Sequence, residues 1–294
     1  MKNTVKVCGI TAPHCAFLHK NTPIHGHTNV LFSGLYLEPE LAVGYVQEQT
    51  PDSRQRRKGM FHPHWEVLLE PPYPSILLTG VWITVLLALI SSVASFFLGV
   101  MIAVGRASGS RAARIPCTFF CDIVRSLPGV FWLLLLFVCL PVLLPEGAGL
   151  ALNGWDGFPF FAACLGLSVN NSPYIADILY SVMGVSGKNA MDAARLAGLR
   201  GAVFWCRVVL PQAVAASLAA ISIRMLHNFK NTSLAMVISV PELTWASQEV
   251  ESLSFAGLEV TTAATCIYLA MGGVLSLLLH WLRSSVRRRC RLEG

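Results

Sequence analysis

Charged side chains are scarce in this sequence. Asp, Glu, Lys and Arg make up 13% of its 294 residues, whereas soluble globular proteins carry about 25%. Hydrophobic residues reach 54%, and this combination excludes a disordered chain, a collagen and a coiled coil. The composition predicts an integral membrane protein embedded in a lipid bilayer. The net charge of +6 is explained by where the charges fall, so we expect no nucleic-acid partner.

Cysteine and histidine clusters are sparse as well. Nine cysteines are too few for a disulfide scaffold in a chain of this length. Cys117 and Cys121 share a helical face, but two ligands do not make a structural metal site. Neither a Ser/His/Asp set nor a His-Glu-x-x-His motif is present. We therefore expect no metal, no cofactor and no catalytic residue in this chain.

Five long stretches of the sequence are largely free of charge. A membrane-spanning helix needs about 20 apolar residues, and backbone groups in lipid must be satisfied within the helix. The predicted spans are 76–104, 126–145, 157–176, 208–241 and 260–282. The predicted fold class is thus an all-α integral membrane protein with five transmembrane helices.

Basic and acidic residues alternate between the predicted loops. Lys and Arg occupy the loops after the first and third spans and the tail after the fifth. In the other two loops all the charged residues are Asp or Glu. By the positive-inside rule, the basic loops and the C-terminus face the cytoplasm. With five spans, the N-terminus then faces outward.

Residues 1–59 do not fit this topology. They hold the basic cluster Arg54, Arg56, Arg57 and Lys58, contain no apolar run long enough for another span, and lack a signal-peptide layout. We therefore expect the functional chain to begin at or near Met60 and the transmembrane domain to occupy 60–294. A poorly ordered N-terminal tail is the alternative.

The loop 177–207 carries a distinctive short pattern. Its Ala-rich stretch predicts a helix, with Asp192 in the first turn, where the helix dipole favours a carboxylate. Asp192-Ala193-Ala194 is followed by Gly198 and then by Val208-Val209-Leu210-Pro211. On composition alone, an ordinary connecting helix would account for the segment.

The spacing of this pattern resembles the EAA loop of ABC-importer permeases, with Asp192 where Glu is usual. Further resemblance to the polar amino acid permeases of that class extends over roughly 65–289. It is carried by Arg125-Ser126-Leu127-Pro128, Pro173-Tyr174-Ile175-Ala176-Asp177, Lys230-Asn231-Thr232-Ser233-Leu234 and Val240-Pro241-Glu242-Leu243. Tyr180 and Gly129 depart from the family pattern, which commonly has Arg and a bulky apolar residue at those positions.

The resemblance implies a type I ABC importer permease in a bacterial inner membrane, with specific partners. In that family the loop is a cytoplasmic coupling helix that docks on an ATPase dimer, while a second permease subunit, identical or homologous, completes the pathway. A periplasmic amino-acid-binding protein delivers the cargo. The implied ATPase-coupling residues are Asp192, Ala193, Ala194, Gly198, Leu210 and Pro211. The chain itself lacks an ATP site, since 184–189 fails the spacing and the final hydroxyl of a P-loop.

The fourth predicted span has a polar middle. An Arg at a helix centre costs about 2.5–3.5 kcal/mol on insertion scales, and Arg224 shares a helical face with His227 and Asn228. We expect a substrate pathway formed by Asn170, Ser172, Arg224, Asn228, Asn231, Thr232 and Ser233. Alternatively, Arg224 reaches the interface or pairs with an acidic residue of a neighbouring span, such as Asp177.

The resemblance also bears on the cargo. In the polar amino acid permeases the position of Arg224 is commonly Glu and that of Asn231 commonly Asp, so this chain has reversed one charge and lost another. A guanidinium group is suited to a carboxylate, which favours glutamate or aspartate. Two rivals from other classes remain: an ion-driven secondary transporter and a non-transporting membrane scaffold.

Overall fold

A computed structural model describes residues 64–108, 110–185 and 204–292 of the chain. The secondary structure of this part is helical, without β-strands. Its α-helices are α1 (Tyr73–Ala107), α2 (Arg111–Ser126), α3 (Gly129–Leu143), α4 (Glu146–Asn153), α5 (Phe158–Val185), α6 (Leu210–Asn231), α7 (Leu243–Ser254) and α8 (Gly257–Leu292). The predicted domain boundary at 59/60 and the segment from Asp192 to Gly198 lie outside the described residues.

Shorter helical segments extend two of these elements. A wide π-type turn, Trp205–Val209, leads into α6, and a 3₁₀ segment, Thr232–Ile238, continues from its end. The result is one helical segment from Trp205 to Ile238, close to the predicted span 208–241. Pro211 lies in the first turn of α6, where its missing N–H has no intrahelical partner to lose.

The second predicted span differs from the structure at its start. The residues between the first two predicted spans, 105–125, were expected to form a loop. In the structure Arg111–Ser126 is a helix, and a second helix, Gly129–Leu143, follows it. Leu127 between them is extended, as expected of a residue before proline. The two helix axes consequently meet at 106°. The prediction missed α2 because its mixed charged and apolar residues lie outside any uncharged run.

Three described helical segments are long and apolar enough to cross a membrane: Tyr73–Ala107, Trp205–Ile238 and Gly257–Val286. The bent pair α2–α3 meets the same test when taken together. Helix α5 is also long, but it is not among the helices that meet this test, because Asn170, Asn171 and Asp177 lower its hydropathy. The membrane-helix architecture is confirmed, and the count of five spans stays a prediction.

Helix α5 is the centre of the bundle and runs parallel to α1. Ser168 contacts Ser91, and Asn171 contacts Ser95, so both helices advance in the same direction. Helix α3 runs antiparallel against α5, with Gly166 at the crossing. A Cβ atom on Gly166 would lie 3.0 Å from the Cα atom of Leu133. Small residues at such crossings let membrane helices approach closely.

Gly99 allows α1 to pack closely against α5. A Cβ atom at Gly99 would lie 2.7 Å from Cγ2 of Ile175 and 3.0 Å from the carbonyl oxygen of Ser172. We expect Gly99→Leu to lower the free energy of unfolding in detergent by about 1–3 kcal/mol, the usual cost of overpacking. The matched control is Gly273→Leu on α8, where the described structure leaves open space. An equal effect of both substitutions would contradict this packing.

Candidate functional site

Polar side chains from three helices meet near the middle of the bundle. Asn228 of α6 is fully buried, and its Nδ2 donates hydrogen bonds to Oγ of Ser91 at 2.8 Å and to Oγ of Ser92 at 3.0 Å on α1. Ser91 is itself buried and donates to the carbonyl oxygen of Leu87, so its hydroxyl oxygen is left to accept. Helix α6 is thereby joined to α1 inside the apolar bundle.

Arg224 joins the same region from one turn earlier on α6. Its Nη2 donates to Oδ1 of Asn171 at 2.8 Å, and Nδ2 of Asn171 donates to Oγ of Ser95 at 2.9 Å. The guanidinium carbon lies 3.9 Å from the ring centre of Tyr174, a cation–π contact. We name this set the polar junction: Ser91, Ser92, Ser95, Asn171, Tyr174, Arg224 and Asn228.

Helical spacing explains why these side chains converge. Ser91 and Ser95 are four residues apart on α1, as are Arg224 and Asn228 on α6, while Asn171 and Tyr174 are three apart on α5. Residues three or four apart lie on one face of a helix. Each helix therefore presents at least two polar or aromatic groups to the same place.

Two buried atoms of the polar junction have no hydrogen-bond partner among the described residues: Nε of Arg224 and Oδ1 of Asn228. The first is a donor and the second an acceptor. Leaving such a group unpaired costs about 1–3 kcal/mol, and more where it is charged. The junction therefore has unused capacity for one acceptor, such as a carboxylate oxygen, and one donor, such as an ammonium group.

The other five predicted pathway residues hydrogen-bond locally or lie apart from Arg224. Asn170 lies beside Gly129 of α3, where a Cβ atom would stand 3.1 Å from its Nδ2. Ser172 donates to the carbonyl oxygen of Val169 within its own helix. Thr232 and Ser233 bond in the same way to the carbonyls of Phe229 and Lys230. Asn231 is half-buried at the end of α6, and the pathway roles of all of them stay predictions.

Asn171 is one of the junction residues that the sequence interpretation missed, although it lies between Asn170 and Ser172. A signal for it existed. Ser91 and Ser95 are spaced four apart in an otherwise apolar span, and Ser168 and Asn171 are three apart in another. Matching polar pairs on two spans favour interhelical hydrogen bonds. The choice between Asn170 and Asn171 depends on helix rotation, which the packing of α3 on the other side of α5 decides.

Asp177 does not pair with Arg224, so the ion pair named in that alternative is wrong, whereas the branch in which Arg224 reaches the interface stays a prediction. It lies on α5, which continues past the predicted end of the span, and it bridges Arg106 of α1 and Arg125 of α2. Arg125 also bonds Asp122 at 2.6 Å. We name Arg106, Arg125 and Asp177 the arginine clamp. It fastens the ends of α1 and α5 to α2.

The opposite end of the bundle is held by a buried carboxylate. Glu242 precedes α7, in a segment predicted as a loop, and its carboxylate accepts the backbone N–H groups of Thr244 at 2.9 Å and Trp245 at 3.0 Å. The hydroxyl of Tyr268 donates to it at 2.6 Å. Burial raises the pKa of Glu242, against the opposing effect of these hydrogen bonds. Glu242 thereby ties α7 to α8.

Only two of the predicted coupling residues are among those described. Leu210 is half-buried and packs against the core that includes Phe204 and Val209, whereas Pro211 is exposed. Both lie at the start of α6. Asp192, Ala193, Ala194 and Gly198 fall within 186–203, outside the described residues, so the coupling helix remains a prediction.

Comparison with known proteins gives consistent results. The profile of the family described as binding-protein-dependent transport system inner membrane component matches residues 95–288. The nopaline transport system permease protein NocM of Agrobacterium fabrum is 28% identical over 219 residues, covering 72% of this chain and 90% of NocM. The glutamine transport system permease protein GlnP of Escherichia coli is 26% identical over 216 residues, covering 74% of this chain and 95% of GlnP.

Solved structures show the same fold. An amino acid ABC transporter crystallised with histidines aligns with a TM-score of 0.63 at 21% identity, over 76% of this chain and 100% of that chain. The MetNI methionine ABC transporter in an inward-facing conformation aligns with a TM-score of 0.60 at 18% identity, over 74% of this chain and 99% of that chain. At these identities the likeness concerns the fold.

Proposed function

Because the chain belongs to the family of inner membrane components of binding-protein-dependent transport systems, we propose that it is the permease subunit of an ABC importer for polar amino acids, with glutamate or aspartate as cargo. Its curated relatives are permease subunits, so the chain is a transport subunit and not an enzyme. Their names include nopaline, glutamine and cystine, which supports the amino-acid class but not the acidic subclass.

The observation that carries the acidic cargo is the environment of Arg224. Its guanidinium is half-buried among hydroxyl, amide and aromatic groups, with no ion pair among the described residues. Its Nε is an unused donor. A carboxylate would meet this donor with a charge-assisted bond, which is about twice as strong as a neutral one. A cationic side chain would instead be repelled by Arg224.

The proposed partners occupy the two ends of the bundle. A cytoplasmic ATPase dimer binds the segment Asp192–Gly198, and a second permease subunit completes the pathway. A periplasmic binding protein delivers the cargo at the acidic end, where α7 and Glu242 lie. The N-terminus faces the periplasm and the C-terminus the cytoplasm, in accordance with the segregation of basic and acidic loops. Closure of the ATPase dimer switches the substrate pathway between opening to the periplasm and opening to the cytoplasm.

Copurification tests this function and separates it from its rivals. The full chain, expressed in its native membrane, should copurify with an ATPase. Asp192→Lys should remove the ATPase from the preparation and lower amino-acid accumulation by more than about tenfold, because the substitution reverses the charge of the coupling contact. The control Asp156→Lys, an exposed position at the other end of the bundle, should change neither.

Two outcomes would contradict the proposal. Accumulation that continues without an ATPase, driven by an ion gradient, would indicate a secondary transporter. Absence of both accumulation and a bound ATPase from the wild-type preparation would indicate a scaffold.

A further inference from the structure

Helix α2 lies across the ends of two helices instead of along them. Its Cys117 faces Gly105 near the end of α1, and its Arg125 bonds Asp177 in the last part of α5. The sharp bend at Leu127 turns α2 by 106° relative to α3. If α3 crosses the bilayer, α2 therefore lies close to the plane of the membrane.

The surface of α2 is divided into three faces at 3.6 residues per turn. One face is buried against α1 and α5, and Cys121 and Val124 lie on it. A second face is exposed and apolar, with Ile115 64%, Phe119 65% and Ile123 40% exposed. The third is polar and consists of Arg111, Arg114, Thr118, Asp122 and Arg125.

The exposed apolar face and the polar face meet along the helix, and this arrangement is typical of an interfacial helix. Such helices place Phe and Ile at the boundary of the acyl chains and Arg at the headgroups. A fully lipid-embedded helix would have to bury Arg111 and Arg114 in hydrocarbon, whereas a water-exposed helix would leave Phe119 in solvent. The membrane interface satisfies both faces at once.

The charges on α2 indicate which lipid it contacts. Arg125 is already bonded to Asp122 and Asp177. Arg111 and Arg114 are exposed and have no ion pair among the described residues. Because Asp122 is paired with Arg125, the polar face keeps two uncompensated positive charges near its start.

We propose that α2 is an interfacial helix that binds anionic phospholipid headgroups through Arg111 and Arg114, with Ile115, Phe119 and Ile123 in the acyl-chain region. Charge complementarity selects the anionic lipid, since each basic residue near an anionic surface contributes about 1 kcal/mol. The site requires only that the chain lies in a bilayer. It is therefore independent of the cargo and of the ATPase.

Lipid titration of the full chain tests the polar face. Phosphatidylglycerol is titrated into the detergent-purified protein and bound lipid is measured by native mass spectrometry, with phosphatidylcholine as the neutral comparison. Arg111→Gln/Arg114→Gln should weaken phosphatidylglycerol binding about 30-fold, the equivalent of two lost charges. Arg111→Lys/Arg114→Lys keeps both charges and should stay within about threefold of wild type. Equal binding of both lipids by the wild-type protein, or no loss in the Gln variant, would overturn the proposal.

Photo-cross-linking in native membranes tests the apolar face. A photoreactive amino acid replaces Phe119, which is exposed, so the substitution leaves the buried face of α2 unchanged. Cross-links to phospholipid support the proposal. Cross-links predominantly to a protein, whether a second copy of this chain or an ATPase, would show that a subunit covers α2 and would overturn it.

Discussion

Arg224→Glu is expected to abolish uptake of glutamate and aspartate while the protein still inserts and assembles. The substitution replaces a donor of the polar junction with a carboxylate that repels the cargo. Hydrogen bonds to charged groups contribute about 1.5–3 kcal/mol, so loss of the attraction plus the new repulsion should lower uptake at least about 100-fold. Uptake of radiolabelled amino acids into cells or proteoliposomes, normalised to the amount of assembled complex, measures this.

Two further variants show whether the charge or the fold is responsible. Arg224→Lys keeps the positive charge but loses the forked geometry, and it should retain part of the uptake. His227→Ala, on an exposed part of the same helix, should leave uptake unchanged. If Arg224→Glu transports glutamate and aspartate normally, the role of Arg224 in cargo binding is wrong.

Asp177→Asn is expected to destabilise the protein clearly. Asp177 pairs with both Arg106 and Arg125, and Arg106 is largely shielded from water, with 14% of its side chain exposed. Removing the carboxylate leaves Arg106 without an ion pair among the described residues and leaves Arg125 with Asp122 alone. Breaking a buried pair costs about 3–5 kcal/mol and an exposed one less than about 1 kcal/mol. For this partly buried clamp we expect a loss of about 2 kcal/mol in the free energy of unfolding in mixed micelles.

Asp122→Asn is the matched control for the clamp. Asp122 also bonds Arg125, but 61% of its side chain is exposed and its partner is three residues away on the same helix. Its loss should cost at most about 0.5 kcal/mol. If the two substitutions cost the same, Asp177 does not fasten the helix ends as described.

The sequence predicts the membrane-helix architecture because an uncharged apolar run of about 20 residues is typical of a membrane-spanning helix. It does not predict α2 or α7, since charged residues interrupt both helices and their stability comes from packing. Helix α2 is fixed by the arginine clamp and by Cys121, and α7 by Glu242, contacts that join residues far apart in the chain. The bend between α2 and α3 has a local signal in Pro128, but its angle depends on the neighbouring helices.

The candidate site likewise contains residues that the sequence predicts and residues that it does not. Arg224 and Asn228 stand out in the sequence because charge and amide groups are costly within a span, and the structure places both in the polar junction. Asn171 and Tyr174 do not stand out. Asn170 and Asn171 are adjacent residues of the same type, so composition does not show which of them faces the junction. Only the rotation of α5 against α1 and α6 distinguishes them. The charge of Arg224 is visible in the sequence, but its aromatic and amide neighbours are not.

The most direct test of acidic cargo is cargo-stimulated ATP hydrolysis by the reconstituted complex of permease, ATPase and binding protein across a panel of amino acids. We predict that glutamate and aspartate stimulate hydrolysis and accumulate in the vesicles, and that arginine and lysine do neither. Stimulation and accumulation with arginine or lysine, and none with the acidic amino acids, would contradict the account.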